Sequence, residues 1–111
     1  MDILGKWIVK KVLFPTEEDL RFLTREEVVA IGMEDPEQLE IFCTCIEVKK
    51  DGTVPIYMQR PKRRVKFDEV NWYEREGVYY YMLDGEEYPF EMTEDGFLKF
   101  CMGTMLMERQ K

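Results

Sequence analysis

Three side chains in this sequence carry obvious nucleophilic or metal-binding potential: the thiols of Cys43, Cys45 and Cys101. Cys43-Thr44-Cys45 is a C-x-C pair, and on a strand alternate residues share a face, so both thiols would point the same way. With Cys101 they could offer a soft metal three sulfurs, but no fourth ligand stands out. The chain contains no histidine and no serine. That removes a Ser-His-Asp triad, a Cys-His pair and every histidine-based metal site. An odd number of cysteines also fits no disulfide framework, so the thiols read as reduced and unreactive. Carboxylates and tyrosines remain, and no spacing among them selects an acid–base pair. The expectation is a protein that is not an enzyme and holds no metal and no cofactor.

The totals bound what positions these groups. A chain of 111 residues, 45% hydrophobic and 35% charged, is sized for one globular domain over residues 1–111. Its net charge of −7 argues against nucleic acid as a partner. No leader-like segment precedes Gly5 and no apolar run reaches membrane-spanning length, so a cytoplasmic protein without a membrane partner is expected. One local exception to the acidity is Arg60-Pro61-Lys62-Arg63-Arg64-Val65-Lys66, which gathers five positive charges. It reads as a solvated loop or as a partner for the protein's own acids.

Hydrophobic alternation governs most of the sequence. Residues 3–14 alternate as a long first strand, and a bulge at Lys10-Lys11 would keep Trp7, Val9, Val12 and Phe14 on one face. Residues 15–23 read as a connector. Thr24-Arg25-Glu26-Glu27 has capping-box spacing, and Asp35-Pro36-Glu37 opens a second short helix. The sequence therefore predicts a helical insertion at about 24–42, between the first and second strands. After Phe42 only strands and turns follow. Lys50-Asp51-Gly52 as a three-residue loop sets Ile46 opposite Ile56. Asp84-Gly85 suits a tight type I′ turn that sets Tyr81 opposite Tyr88, and Glu94-Asp95-Gly96 sets Met92 opposite Leu98. A four-residue loop at Glu74–Gly77 would pair Trp72 with Tyr79. A two-residue turn at Gly103-Thr104 would pair Met107 with Phe100.

With these turns, Trp72, Tyr79, Tyr81, Tyr88, Phe90, Phe100 and Met107 fall on one apolar face, as do Ile56 and Met58 upstream. A meander of about eight short antiparallel strands, apolar on one side, closes naturally into a small up-and-down β-barrel.

An N-terminal Gly5-Lys6-Trp7 on the first strand, a meander, and Arg109 on the last strand resemble the calycin superfamily, which includes lipocalins and fatty-acid-binding proteins. IEVKKDGTV, NWYEREGVYYYM and MTEDGFLKF also resemble small bacterial lipocalin-like proteins of uncharacterised function. The resemblance implies that Trp7 sits at the closed end of the barrel with Arg109 across its ring, Gly5 leaving room for both. It also implies a small apolar or amphipathic ligand inside the barrel. The lining would be Phe14, Ile56, Met58, Trp72, Tyr79, Tyr81, Tyr88, Phe90, Phe100 and Met107. The same side chains could instead fill a barrel of short strands with no ligand. The strand around residues 78–83 is apolar on both sides, with Tyr73, Val78, Tyr80 and Met82 outward. A cover is needed there, either the helical segment or a second copy in a homodimer, and the alternative to a ligand carrier is a self-association or protein-interaction module.

Overall fold

The computed structural model describes residues 2–110. It is mainly β, a nearly closed antiparallel barrel. The strands are β1 (Gly5–Pro15), β2 (Leu20–Leu23), β3 (Thr44–Val48), β4 (Thr53–Gln59) and β5 (Arg64–Arg75). They continue as β6 (Val78–Leu83), β7 (Glu86–Pro89), β8 (Glu91–Met92), β9 (Leu98–Phe100) and β10 (Met105–Arg109). Around the barrel the order is β7-β6-β5-β4-β3-β1-β10-β9-β8, and β2 pairs with β1 alone. The path nearly closes because its two ends, β7 and β8, are separated in sequence only by Phe90. Phe90 leaves the ladder to β6 with one last bond, its N–H donating to the Tyr79 carbonyl at 2.8 Å. Glu91 and Met92 then pair with β9.

β1 organises the wall. Its first residues, Gly5–Ile8, lie against β3, with Trp7 opposite Ile46, and its middle, Trp7–Val12, lies against β10. Lys10 is an extra residue between Val9 (opposite Met107) and Lys11 (opposite Leu106). This bulge restores the inward direction, so that Trp7, Val9 and Val12 are all buried.

Two expectations about the architecture are corrected. The helical segment does not lie between the first and second strands. Residues 15–23 form a hairpin, with Pro15 opposite Leu20 and Val12 opposite Leu23, so α1 (Arg25–Ala30) and α2 (Pro36–Leu39) follow β2 and precede β3. That turn contains no glycine. Thr16 builds it instead, its hydroxyl accepting from the Asp19 N–H at 3.1 Å and donating to the Asp19 carbonyl at 2.9 Å. Among the described residues the strands number ten rather than about eight, because β2 is added and the stretch between the turns at Asp84-Gly85 and Glu94–Gly96 breaks at Phe90 into β7 and β8.

The turns at Gly52, Asp84-Gly85 and Gly96 give the expected partners: Ile46–Ile56, Tyr81–Tyr88 and Met92–Leu98. Two others are shifted by two residues. Glu76-Gly77 is a two-residue turn with both residues at positive φ (54° and 81°), which sets Trp72 opposite Tyr81 instead of Tyr79. The last turn is longer than expected. Cys101, Met102 and Gly103 all take positive φ, and Met105 pairs with Phe100 and Met107 with Leu98. The Met102 N–H donates to the Tyr81 hydroxyl at 2.9 Å, which holds this turn to the barrel wall. A shift of two preserves the side-chain faces, so the interior survives both changes.

Candidate functional site

The two ends of the barrel offer different chemistry, and the first is sealed. Trp7 is 1% exposed and its indole N–H donates to the Ile3 carbonyl at 3.0 Å. Arg109, directly opposite on β10, lies over the indole with its guanidinium carbon 4.3 Å from the ring centroid. The same guanidinium donates to the carbonyls of Leu4 (2.6 Å) and Asp2 (2.8 Å). Gly5 makes this possible in two ways: its φ is +123°, and a Cβ there would stand 3.0 Å from Arg109 Nη1. The arginine is therefore fully engaged with the chain's own backbone and ring, an arrangement whose cation–π part is worth about 0.5–2 kcal/mol.

Most of the expected lining residues occupy the centre of the barrel. Ile56, Tyr81, Phe90, Phe100 and Met107 belong to the buried core, with Trp72, Tyr79 and Tyr88 packed against it. The rings fill space with one another: Tyr81 lies 4.7 Å from Phe90 and 4.8 Å from Phe100, centroid to centroid. Burial pushes the Tyr81 hydroxyl pKa up, so it stays a neutral acceptor for the Met102 N–H. Tyr88 donates to Glu86 at 2.7 Å, and that bond raises its pKa too. Met58 and Phe14 fall outside this core. Met58 is half-buried opposite Thr44, and Phe14 sits beyond the bulge, past the end of the interior.

Phe14 points instead to the second end, where a cleft of about 570 Å3 opens between β1 and the helical segment. Val12, Phe14 and Pro15 of β1 form one wall, and Val28 of α1 and Met33 just after it form another. Glu37 and Gln38 of α2, with Ile41 and Phe42 of the 3-10 turn Glu40–Cys43, complete the lining. Local rules place these groups. The Thr24 hydroxyl accepts from the Glu27 N–H while the Glu27 carboxylate accepts from the Thr24 N–H, a capping box that starts α1. The Thr24 N–H, and then the Thr24 hydroxyl beside the carboxylate, hold the Glu27 carboxyl below its usual range. Val28, one residue on, is driven into the cleft floor at 2% exposure. Asp35 caps α2, with Pro36 in its first turn, which presents Glu37 and Gln38 at the rim. Val12, Ile41 and Phe42 serve both the cleft and the interior core. Among the expected site residues, Phe14 is the one that lines this cleft. The others were missed although Thr24-x-x-Glu27 and Asp35-Pro36 marked both helices. The signal was the apolar set Val28, Met33, Ile41 and Phe42, too polar in its surroundings to be a helix core and in need of a surface to cover.

The remaining candidates are dispersed. In the basic run, Arg60 pairs with Glu40 at 3.1 Å and Lys66 with Glu69 at 2.8 Å, while Arg64 lies over Tyr57 at 4.4 Å. The cysteines do not share a face: Cys43 precedes β3 in the 3-10 turn, Cys45 is buried within it, and Cys101 lies in the last turn. Burial raises the Cys45 thiol pKa despite the pull of nearby Arg64, which makes it less reactive than an ordinary thiol. Among the described residues, no three His, Cys, Asp or Glu side chains converge as a metal site would require. No described helix is long and apolar enough to cross a membrane.

No family model, no curated protein and no solved structure matches this chain.

Proposed function

We propose that this chain is a calycin-like, non-enzymatic carrier that binds a small apolar or amphipathic molecule noncovalently, in the cleft between β1 and the helical segment. The observation that carries the reading is the cleft itself. Its volume falls within the roughly 300–1,000 Å3 of small-molecule sites, and its walls are aliphatic and aromatic with polar groups only at one side. The barrel centre is a weaker candidate, because Tyr81, Phe90 and Phe100 already occupy it. Kinship with calycins is supported by the Gly5, Trp7 and Arg109 arrangement and by the meander, and it implies the same kind of ligand.

The test is binding of the neutral fluorescent probe N-phenylnaphthylamine to the purified protein. Saturable enhancement at micromolar concentration, weakened about fivefold or more by Phe14→Ala, is the expected result. No enhancement, or enhancement indifferent to Phe14→Ala, rejects the cleft as the site.

A second reading, self-association through the outer face of β5 and β6, is favoured by one observation. The helical segment covers the end of the barrel and not this face. Tyr73 and Tyr80 stack there at 5.8 Å and Val78 is 41% exposed. Arg75 partly shields the pair, 4.6 Å from the Tyr80 centroid and bridged to Glu87 at 2.8 Å. Sedimentation velocity at tens of micromolar discriminates: a dimer abolished by Val78→Lys supports association, and a monomer at every concentration rejects it.

A further inference from the structure

We propose that the cleft selects amphiphiles by headgroup charge, taking an amine-headed apolar molecule in preference to a carboxylate-headed one of the same chain length. The proposal rests on the cleft-binding reading above and adds the chemistry of the ligand's polar end. Among the described residues, Glu37 is the one charged side chain that lines the cleft, and no lysine or arginine does. It is exposed at the rim, where it faces whatever part of a ligand remains outside the apolar walls.

The surroundings deepen the same sign. A second depression shares Phe14 and Pro15 with the cleft and is bordered by Glu17, Glu18 and Arg21. Its cation is already committed, with Arg21 lying 3.0 Å from Asp19 and 3.6 Å from Glu18. Three further cations are engaged away from the cleft lining. Arg109 is locked to the carbonyls of Leu4 and Asp2 at the opposite end of the barrel. Arg60 is held by Glu40, and Lys11 lies against Phe97 on the outer surface, 5.9 Å from its centroid. A carboxylate head entering the cleft would meet the like charge of Glu37 with no cation in the described lining, whereas an ammonium head would meet Glu37 directly. The net charge of −7 adds attraction for cations at long range.

The magnitude is that of an exposed ion pair, so loss of the Glu37 charge should change affinity about two- to fivefold. Attraction of one head and repulsion of the other together give a preference of roughly tenfold at low salt, shrinking as salt screens it.

The experiment is displacement of N-phenylnaphthylamine by decylamine, decanol and decanoate, each below its aggregation concentration. The expected order of affinity is decylamine, then decanol, then decanoate. Glu37→Gln should narrow the amine–carboxylate gap two- to fivefold, while Glu74→Gln, which removes one charge from distant β5, should leave the gap unchanged. Decanoate displacing as well as decylamine, or Glu74→Gln narrowing the gap as much as Glu37→Gln, overturns headgroup selection and leaves the cleft standing as a site. Failure of the probe itself to bind removes the cleft reading, and the headgroup proposal falls with it.

Discussion

At one end of the barrel, Trp7 and Ile3 are each 1% exposed, and Arg109 closes over them with two hydrogen bonds to backbone carbonyls. At the other end, six residues of α1 and four of α2 cover a cleft of about 570 Å3. The same strand, β1, supplies both, with Trp7 before its bulge and Phe14 after it. Before the bulge β1 is flanked by β3 and β10, so its inward side chains meet a complete ring of neighbours. Beyond it β3 has not yet begun, since Cys43 still belongs to the 3-10 turn, and β2 takes its place beside Val12–Pro15. Helices this short have little stability of their own and depend on packing. The sealed end is therefore built for rigidity, and the covered end for access.

The largest expected effect is on the sealed end. Trp7→Ala removes a buried indole, its hydrogen bond and the platform under Arg109, and should cost about 3–5 kcal/mol in chemical unfolding. A loss below about 1 kcal/mol would erase the contrast between the ends. Gly5→Ala is the next largest. A φ of +123° is strained for alanine and the added Cβ would press on Arg109 Nη1, so a loss of roughly 1–3 kcal/mol is expected, with slower recovery if Arg109 must shift.

At the covered end, Thr24→Ala removes the hydroxyl half of the capping box, leaving the backbone N–H of residue 24 to donate to Glu27, and should cost only about 1 kcal/mol. Its effect should stay local: amide exchange should accelerate through residues 25–43 and remain slow in β1 and β10. Acceleration spread evenly over the chain would mean that the ends are not independent.

The smallest effect is that of acid. The Asp51 carboxyl, in the loop before β4, is lowered from its ordinary 3.8 by the Thr53 hydroxyl and N–H; that of Glu27, at the covered end, is lowered from 4.5 by Thr24. A group lowered on folding contributes its stability in full above its ordinary pKa and loses it as pH falls through the lowered one. Stability should therefore be flat above about pH 4.5 with respect to Glu27 and decline below it. Carboxyl chemical shifts followed by NMR would check both midpoints.

Much of this division could be read from residue order. Gly5, Trp7 and Arg109 carry a local geometry that depends on few neighbours, and the inward alternation of β3 to β10 depends only on parity. Parity explains why two turns could be shifted by two residues without displacing Tyr81 or Met107 from the core. The β1–β2 hairpin was hidden because Thr16 and Asp19 make its turn with side-chain hydrogen bonds, leaving no glycine or Asn-Gly mark. The cleft was hidden for a different reason. Its walls come from β1 and from residues 28–42, and no periodicity within either segment announces the space between them. Its walls meet where β1, past the bulge at Lys10, pairs with β2 and the chain ahead of β3 turns through Glu40–Cys43.

The pairing of β1 with β10 also sets an order of events during folding. Arg109 meets Leu4 across 105 residues of chain, so the seam between the first and last strands is the costliest loop to close. Until β10 arrives, one edge of β1 is unpaired, and a growing chain would hold that bare edge until residues 105–109 are made. Lys10 and Lys11, placed on that edge, are the kind of residues that discourage a neighbouring chain from docking there in the meantime.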